Sequence, residues 1–236
     1  MKIHKVEQNS VAWSILRSGK ITASELDALI SPLGEIRKGE GVKTYLAQKL
    51  CEQWMGGPLP SIQGVWDLEQ GKYLEERAKP AFTFHTGIEI KNVGFITDDA
   101  GQVGCSPDAM FCDDKSGVEI KCPRMENHIG YLLSGKLPKQ YIAQVQCSMF
   151  VTGFPVWHFF SYRNGLPPLH LVIERDDDFH KSIKSACADF LGALDVAFEK
   201  LVQLNGGLPT QRGIAAMPNR HRESLESPEP NLDNIP

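Results

Sequence analysis

The pattern of apolar and polar positions predicts an α/β (or α+β) domain in which helices flank a central mixed sheet. Apolar residues recur at helical spacing in five segments, bounded by the Thr, Asp, Gly and Pro residues typical of helix ends. These predicted helices cover residues 22–30, 42–55, 62–84, 138–151 and 176–204. Short apolar runs between turn residues predict strands at 88–96, 103–105, 157–162 and 169–174.

A further strand pair, between residues 108 and 121, carries the most informative polar side chains. Residues 113–117 have the composition of a turn, so the flanking segments can pair as a hairpin that brings Asp108 beside Glu119. Side chains alternate between faces along a strand. Glu119 and Lys121 therefore share one face, whereas Val118 and Ile120 point to the other.

Two carboxylates that converge beside a lysine can hold a divalent metal ion and a water molecule at a phosphodiester. A Glu-x-Lys pair alone is more often the solvated face of a strand. Here an acid and a short hairpin precede the pair, and the combination resembles the Asp…Glu-x-Lys core of a large class of metal-dependent nucleases. Oxygen ligands suit Mg²⁺ or Mn²⁺, and no thiolate is placed to recruit zinc.

Length and composition place further bounds on these hypotheses. A chain of 236 residues, 42% hydrophobic and 23% charged, is typical of one soluble globular domain. It has no apolar run long enough for a membrane span and no signal peptide, which predicts a cytoplasmic protein. Its six cysteines lack C-x-x-C or metal-finger spacing, so we interpret them as buried, reduced thiols rather than iron–sulfur ligands.

The chain is predicted to form a single domain over residues 1–204. Beyond it, residues 205–236 are rich in Gly, Pro, Asn and charge, which predicts a disordered tail. The formal net charge of −4 weighs against a tight sequence-specific DNA binder, because phosphate contacts dominate such affinities. Bound divalent cations would reverse the local sign at a carboxylate site, and basic residues can still be concentrated on one surface.

Three features outside the hairpin suit a nuclease. Glu75 can face the sheet from its predicted helix, although a solvated helix acid is the commoner role. Arg17 precedes a predicted helix N-terminus that carries Ser24, where N–H groups, a hydroxyl and a guanidinium can bind an anion; simple helix capping is the alternative. Gln144 and Gln146 lie on different faces of one helix, so at most one of them reaches the site.

Five motifs in series resemble the phage lambda exonuclease family, also called YqaJ-type viral recombinases, of the PD-(D/E)xK nuclease superfamily. They occur in the same order as in that family, over about residues 6–198. Each motif alone is weak, and the series is specific. The motifs are residues 13–24, 71–75, 105–108, 119–123 and 141–149.

The resemblance implies a restriction-endonuclease-like core and a 5′-to-3′ exonuclease acting on double-stranded DNA ends. Such an enzyme releases mononucleotides and leaves a 3′ single strand, which a single-strand annealing protein uses in phage-type recombination. The resemblance also implies a ring-shaped homotrimer and a phage or prophage origin in a bacterial host. An endonuclease or junction resolvase with the same core is one alternative. A non-catalytic DNA-end-binding scaffold is another, but such a protein would usually have lost an acid or the lysine.

Residue roles follow from the same resemblance. Asp108, Glu119 and the carbonyl of Ile120 would bind a metal ion, and Lys121 would position and activate the attacking water. Glu75 would serve a second metal ion or its water, with Mg²⁺ as the cofactor and Mn²⁺ as its substitute. A pocket for the terminal 5′-phosphate would be formed by Arg17, Ser24, Ser106 and Gln144.

Overall fold

The computed structural model, which describes residues 1–59, 77–113 and 115–208, has a run of five consecutive strands in the middle of the chain and helices on either side of it. The strands are β1 (Lys2–His4), β2 (Ile21–Thr22), β3 (Ile90–Lys91), β4 (Phe95–Thr97), β5 (Val103–Cys105), β6 (Ala109–Phe111), β7 (Gly117–Lys121), β8 (Val156–Ser161) and β9 (Leu169–Glu174). The helices are α1 (Val11–Arg17), α2 (Glu40–Met55), α3 (residues 77–86), α4 (Met125–Ser134), α5 (Lys139–Thr152) and α6 (Asp177–Asn205). A 3₁₀ helix, Ala23–Ala28, follows β2.

The central mixed sheet has the strand order β3-β6-β7-β8-β9, which makes β7 its middle strand. β6 and β7 form the predicted antiparallel hairpin, with Ala109 opposite Val118. β7 and β8 are parallel, and α4 and α5 provide the crossover that a parallel pair requires. β8 and β9 then close the sheet as a second hairpin.

A second sheet, in the order β1-β4-β5-β2, brings the N-terminal part of the chain to the central hairpin. β2 pairs in parallel with β5, so that Thr22 lies opposite Gly104. Gly104 admits no side chain, because a Cβ there would collide with the ring of Phe95. This pairing places the segment after α1 beside the turn that leads from β5 into β6.

The two faces of β7 are as different as its alternation predicts. Val118 and Ile120 are buried in an apolar cluster with Phe82 of α3 and Phe160 of β8. A larger core lies among α2, α5, α6 and the 3₁₀ helix. Glu119, only 2% exposed, is a charged residue inside the protein, on the face opposite that of Ile120.

Most predicted elements are confirmed within a residue or two. α2, α5 and α6 each end at a glycine in the left-handed conformation, namely Gly56, Gly153 and Gly206. Asp176 caps α6 by accepting from two backbone N–H groups of the first turn. The predicted helix 62–84 lies partly outside the described residues, as does most of the predicted tail. Within the described ranges, no helix is both long and apolar enough to cross a membrane.

Other expectations are wrong for identifiable reasons. The predicted helix 22–30 is a short 3₁₀ helix, because Thr22 belongs to a strand and its hydroxyl donates to the Glu25 carboxylate rather than capping a helix. The predicted strand 88–96 is split where Gly94 passes close to the backbone of the N-terminal segment. The cysteines were expected to be buried, but Cys51 and Cys112 are exposed.

Sequence patterning missed β1, α1 and α4. The apolar residues Met125, Ile129 and Leu133 recur at helical spacing in α4, but they are exposed and face no core. Its fixed point is the fully buried His128, whose ring contacts the hydroxyl of Ser161 at 2.7 Å. The other ring nitrogen contacts the carbonyl of Pro167 at 3.0 Å, and polar contacts of this sort leave no periodic signal in the sequence.

Candidate active site

The two acids of the predicted metal site lie side by side at the start of the central hairpin. Asp108 directly precedes β6, and the pairing of Ala109 with Val118 puts it next to Glu119. The Asp108 carboxylate accepts a hydrogen bond of 2.6 Å from the backbone N–H of Ile120. This contact ties the acid to β7, so the geometry depends only on the hairpin register.

Lys121 and Gln144 both hold the buried carboxylate of Glu119. The ammonium of Lys121 lies 2.5 Å from Oε1, and the side-chain amide of Gln144 on α5 donates to the same oxygen at 2.6 Å. The ring of Tyr141 lies 5.1 Å from the lysine nitrogen, within cation–π range. A buried carboxylate is tolerated here because a cation and an amide pair with it.

The protonation state of Lys121 follows from its surroundings. Burial lowers its pKa, but the carboxylates of Glu119 and Asp108 raise it by more, so the net pKa lies above the ordinary value of a lysine. Lys121 is therefore a cation at neutral pH in this arrangement. In that state it can donate to a water molecule or a phosphate oxygen.

The donor chemistry of this cluster fits a hard divalent cation. Asp108, Glu119 and the main chain of Ile120 offer oxygen atoms, which Mg²⁺ and Mn²⁺ prefer, and water can complete the coordination shell. In the described part of the chain, no group of three or more His, Cys, Asp or Glu side chains forms a metal site. Glu75, the predicted third acid, lies outside the described residues.

A second polar cluster, which we call the anion pocket, is formed by Arg17, Ser24 and Ser106. The guanidinium donates to Ser106 at 3.0 Å through Nη1 and to Ser24 at 3.1 Å through Nη2. The indole N–H of Trp13 also donates to Ser106, at 2.9 Å. Two donors occupy the acceptor sites of that hydroxyl, which leaves its hydrogen for an acceptor in the pocket.

Trp13 is a member of this cluster that sequence reasoning did not assign a role. Its ring centroid lies 4.2 Å from the guanidinium carbon of Arg17, which is a cation–π contact. Its indole N–H at the same time holds the hydroxyl of Ser106. The spacing of four residues on one helix was a readable signal, because such residues share a face. That signal depended on predicting α1.

Arg17 remains charged in this environment. Burial lowers the pKa of the guanidinium, and Glu25 partly offsets that effect. The ordinary value is so high that the group stays protonated at neutral pH. The helix predicted to begin near Ser24 is a six-residue 3₁₀ helix, Ala23–Ala28, rather than an α-helix. The pocket consequently depends on the guanidinium and the hydroxyl groups.

The two glutamines of α5 have separate positions. Gln144 contacts Glu119, so the structure groups it with the carboxylates rather than with Arg17. Gln146 is buried and binds the main chain at the start of α6, accepting from Asp176 at 3.1 Å and donating to Glu174 at 2.9 Å. Gln144 is thus the glutamine that reaches the site.

One short turn joins the two clusters. Ser106 and Asp108 are two residues apart between β5 and β6, and the side-chain amide of Gln8 fixes the turn by donating to the carbonyl of Pro107 at 2.7 Å. The pKa of buried Cys105 is raised first by burial and then by Glu119, and it is lowered by Arg17. The thiol therefore lies within the electrostatic reach of both clusters.

A cavity of about 980 Å³ opens beside Asp108. The N-terminal segment 3–9 forms one wall, and parts of α3 and of the segment between β3 and β4 form the other. Three lysines line it, Lys5, Lys79 and Lys91, against the acids Glu7 and Asp108. The cavity thus combines a basic lining with direct access to one of the acids.

Comparison with solved structures finds the same fold in exonucleases. The alkaline exonuclease LHK-Exo from Laribacter hongkongensis is 29% identical, with a TM-score of 0.73 over 83% of this chain and 97% of that one. Its complex with dAMP gives 30% identity and the same score and coverage. A phage-related exonuclease from Haemophilus somnus 129PT shares the fold at 15% identity, with a TM-score of 0.62 over 77% of this chain and 96% of the other.

No curated protein matches the chain. The predicted fold class is confirmed, because the mixed central sheet with flanking helices is the PD-(D/E)xK arrangement of these exonucleases. The model of the YqaJ-like viral recombinase domain matches residues 12–155, more than half of the sequence, and this range contains both clusters. The chain therefore belongs to the YqaJ-like viral recombinase family.

Proposed function

We propose that this protein is a metal-dependent exonuclease that digests double-stranded DNA from its 5′ ends. It releases 5′-mononucleotides and leaves 3′ single strands. Family membership and the similarity to alkaline exonucleases support a DNA exonuclease. The observation that carries the proposal is the pair of acids, Asp108 and Glu119, with Lys121 and Gln144 bound to the second acid.

The proposed chemistry is hydrolysis of a phosphodiester. Mg²⁺, two ions per site with Mn²⁺ as a substitute, supplies charge neutralisation and water activation when bound. Asp108, Glu119 and the carbonyl of Ile120 hold the metal, and Glu75 serves the second ion or its water. Lys121, as a cation, orients the attacking water and donates to a phosphate oxygen. Gln144 keeps the Glu119 carboxylate in place.

Direction comes from the anion pocket, because the metal site treats each phosphodiester alike. A terminal 5′-phosphate carries a negative charge that an internal diester lacks. Arg17, Ser24 and Ser106 offer it a guanidinium and two hydroxyl groups, one turn away from Asp108. A strand that starts at this pocket has its first phosphodiester near the carboxylates.

The lysine-lined cavity is the proposed path of the DNA backbone. Lys5, Lys79 and Lys91 line it, and it leads to Asp108. Lysines that bind the phosphates of DNA supply affinity without sequence preference, which is what an exonuclease needs. These lysines are the local source of positive charge, beside Glu7 and Asp108, in a chain whose net charge is −4.

The biological setting follows from the family. We propose that the 3′ strand is handed to a single-strand annealing protein in phage-type recombination, and that the protein works as a ring-shaped homotrimer. The description of the family as viral recombinases supports the first point. The size of a purified sample in solution tests the second.

The decisive experiment uses linear duplexes labelled separately at the 5′ and 3′ ends, with a closed circular duplex beside them. The expected result is Mg²⁺-dependent release of the 5′ label as a mononucleotide and no attack on the circle. Cleavage of the circle would favour an endonuclease or resolvase. DNA-end binding without any hydrolysis would favour a scaffold.

A further inference from the structure

A cluster of charges lies next to the anion pocket, with Lys49 and Glu52 buried and Glu25 partly exposed, and the proposed chemistry does not use it. Lys49 of α2, whose side chain is 3% exposed, lies 2.9 Å from the carboxylate of Glu25 and 3.0 Å from that of Glu52. Buried ion pairs are a weak source of stability, since desolvation offsets their attraction. A contribution to stability therefore does not explain the cluster, and its position next to the pocket suggests a role in anion binding.

One side of the cluster is connected to the pocket by hydrogen bonds. Thr22 donates to the Glu25 carboxylate at 2.7 Å, and its hydroxyl lies 3.3 Å from that of Ser24. Ser24 in turn accepts from Arg17. Four contacts, through three intervening side chains, thus connect Lys49 to the guanidinium of the anion pocket.

On its other side, the cluster binds the turn between α1 and β2, which connects Arg17 to Ser24. Glu52 accepts from the backbone N–H of Gly19 at 2.8 Å, and Gln53 donates to the carbonyl of the same glycine at 3.3 Å. Gly19 has φ +70, and a Cβ there would press on the Gln53 side chain. Helix α2 therefore fixes the turn between Arg17 and β2 from below.

The charges of this region nearly cancel. Burial raises the pKa of Glu25, but Lys49 and the hydrogen bonds lower it by more, so the net pKa is below the ordinary value and the group is ionised. Glu25 and Glu52 contribute two negative charges, and Lys49 and Arg17 contribute two positive charges. An incoming phosphate thus meets a guanidinium whose attraction is weakened by a carboxylate close behind it.

We propose that Glu25 and Lys49 tune the anion affinity of the pocket in opposite directions, with Glu25 weakening and Lys49 strengthening the hold on a terminal phosphate. Both are positioning residues that act through Ser24 and Arg17. A moderate affinity for the phosphate suits an exonuclease, because each released mononucleotide must dissociate before the next 5′ end binds. The inference rests on the proposed function of the anion pocket.

The test compares charge-changing variants in the whole protein. Glu25→Gln keeps the shape and the acceptor for Thr22, and Lys49→Met removes the cation. Binding of dAMP is measured against deoxyadenosine, which lacks the phosphate, together with the rate ratio of 5′-phosphorylated to 5′-hydroxyl duplexes. Matched controls are Glu40→Gln and Lys43→Met, since this pair lies on the same helix and is exposed.

The two single variants are expected to change the affinity for dAMP in opposite directions. Glu25→Gln should tighten dAMP binding by about 3- to 10-fold, and Lys49→Met should weaken it by a similar factor. The double variant should return close to wild type, and the control variants should change binding by less than about 2-fold. Binding of deoxyadenosine should stay unchanged in all of them.

A purely structural cluster would give a different outcome, because every variant would then weaken dAMP binding together with thermal stability. If Lys49→Met does not fold, Glu25→Gln alone decides, and failure to tighten dAMP binding overturns the inference. A wild type without 5′-phosphate preference would overturn the anion pocket itself. A wild type with that preference and an unresponsive Glu25→Gln would overturn only the tuning role.

Discussion

The two polar clusters of this protein are built in different ways. Asp108 and the backbone of Ile120 are joined across 12 residues of one hairpin. The anion pocket joins residues from α1, the 3₁₀ helix and the β5–β6 turn, and its Arg17–Ser106 contact spans 89 residues. The register of one hairpin therefore arranges the acids, whereas the pocket exists only after β2 has paired with β5, a strand far from it in the sequence.

Their charges divide the proposed reaction between them. In the proposed reaction the carboxylates would attract cations and act at the bond to be cut, while Arg17 would attract the terminal phosphate. Loss of the first cluster should abolish the chemistry, and loss of the second should remove the choice of end. Variants that separate rate from end selection test this division.

The largest effect is expected from either acid. Asp108→Ala or Glu119→Ala should lower the rate of hydrolysis by at least ~10³-fold, since each removes a proposed metal ligand. DNA binding need not fall, because a lost carboxylate also relieves repulsion with phosphate. Initial rates on linear duplex and a separate binding titration measure the two. Near-normal hydrolysis in either variant would contradict the assignment.

Lys121→Ala should come next, with a loss of about 10²- to 10³-fold in turnover, because the proposed donor to water and phosphate is gone. The variant also leaves buried Glu119 without its cation, so a modest fall in thermal stability is expected. Adding Glu119→Gln should restore the stability but not the activity. Single-turnover rates and melting curves separate these effects, and full activity of Lys121→Ala would exclude its role.

End selection should depend on Arg17. A charge-assisted hydrogen bond is worth roughly 1.5–3 kcal/mol, so the wild type should digest 5′-phosphorylated duplexes about 10- to 100-fold faster than 5′-hydroxyl ones. Arg17→Ala should shrink that ratio and leave the metal requirement unchanged. Matched duplexes that differ only at the 5′ end give the measurement. Equal wild-type rates on both would overturn the pocket and the polarity.

Gln144 tests the boundary between the clusters. The resemblance placed it in the phosphate pocket, but its contact is with Glu119. Gln144→Ala is therefore expected to lower kcat by about 10-fold while the 5′-phosphate ratio stays near that of the wild type. The same 5′-phosphorylated and 5′-hydroxyl duplexes give the measurement. A reduced ratio of their rates at normal kcat would show that Gln144 acts in the anion pocket instead.

The smallest effect is expected from the end of the chain. Deleting residues 206–236 should change neither kcat nor the 5′-phosphate ratio by more than about 2-fold, because the composition of this segment favours disorder. Melting curves of the full and shortened chains complete the test. A large loss of thermal stability would show that this segment packs on the body or on another subunit.

The sequence by itself determined the hairpin cluster. Alternation along β7 predicted that Glu119 and Lys121 would share a face, and turn composition predicted the pairing that brings in Asp108; both are confirmed. These are local rules of strand geometry, which operate over a few residues. The long helices α5 and α6 were predictable for the same reason, since their spacing and end residues lie within each segment.

Only the tertiary structure decided the rest. It placed Gln144 on the carboxylate, put Trp13 beneath Arg17 and set the Glu25–Lys49 pair behind the pocket. The contacts of Gln144 and of Glu25 connect elements that are 20 or more residues apart in the chain, and no periodicity records them. Their positions follow from the packing of α5 against the strands and of α2 against α6 and the 3₁₀ helix, where burial selects partners that sequence spacing cannot specify.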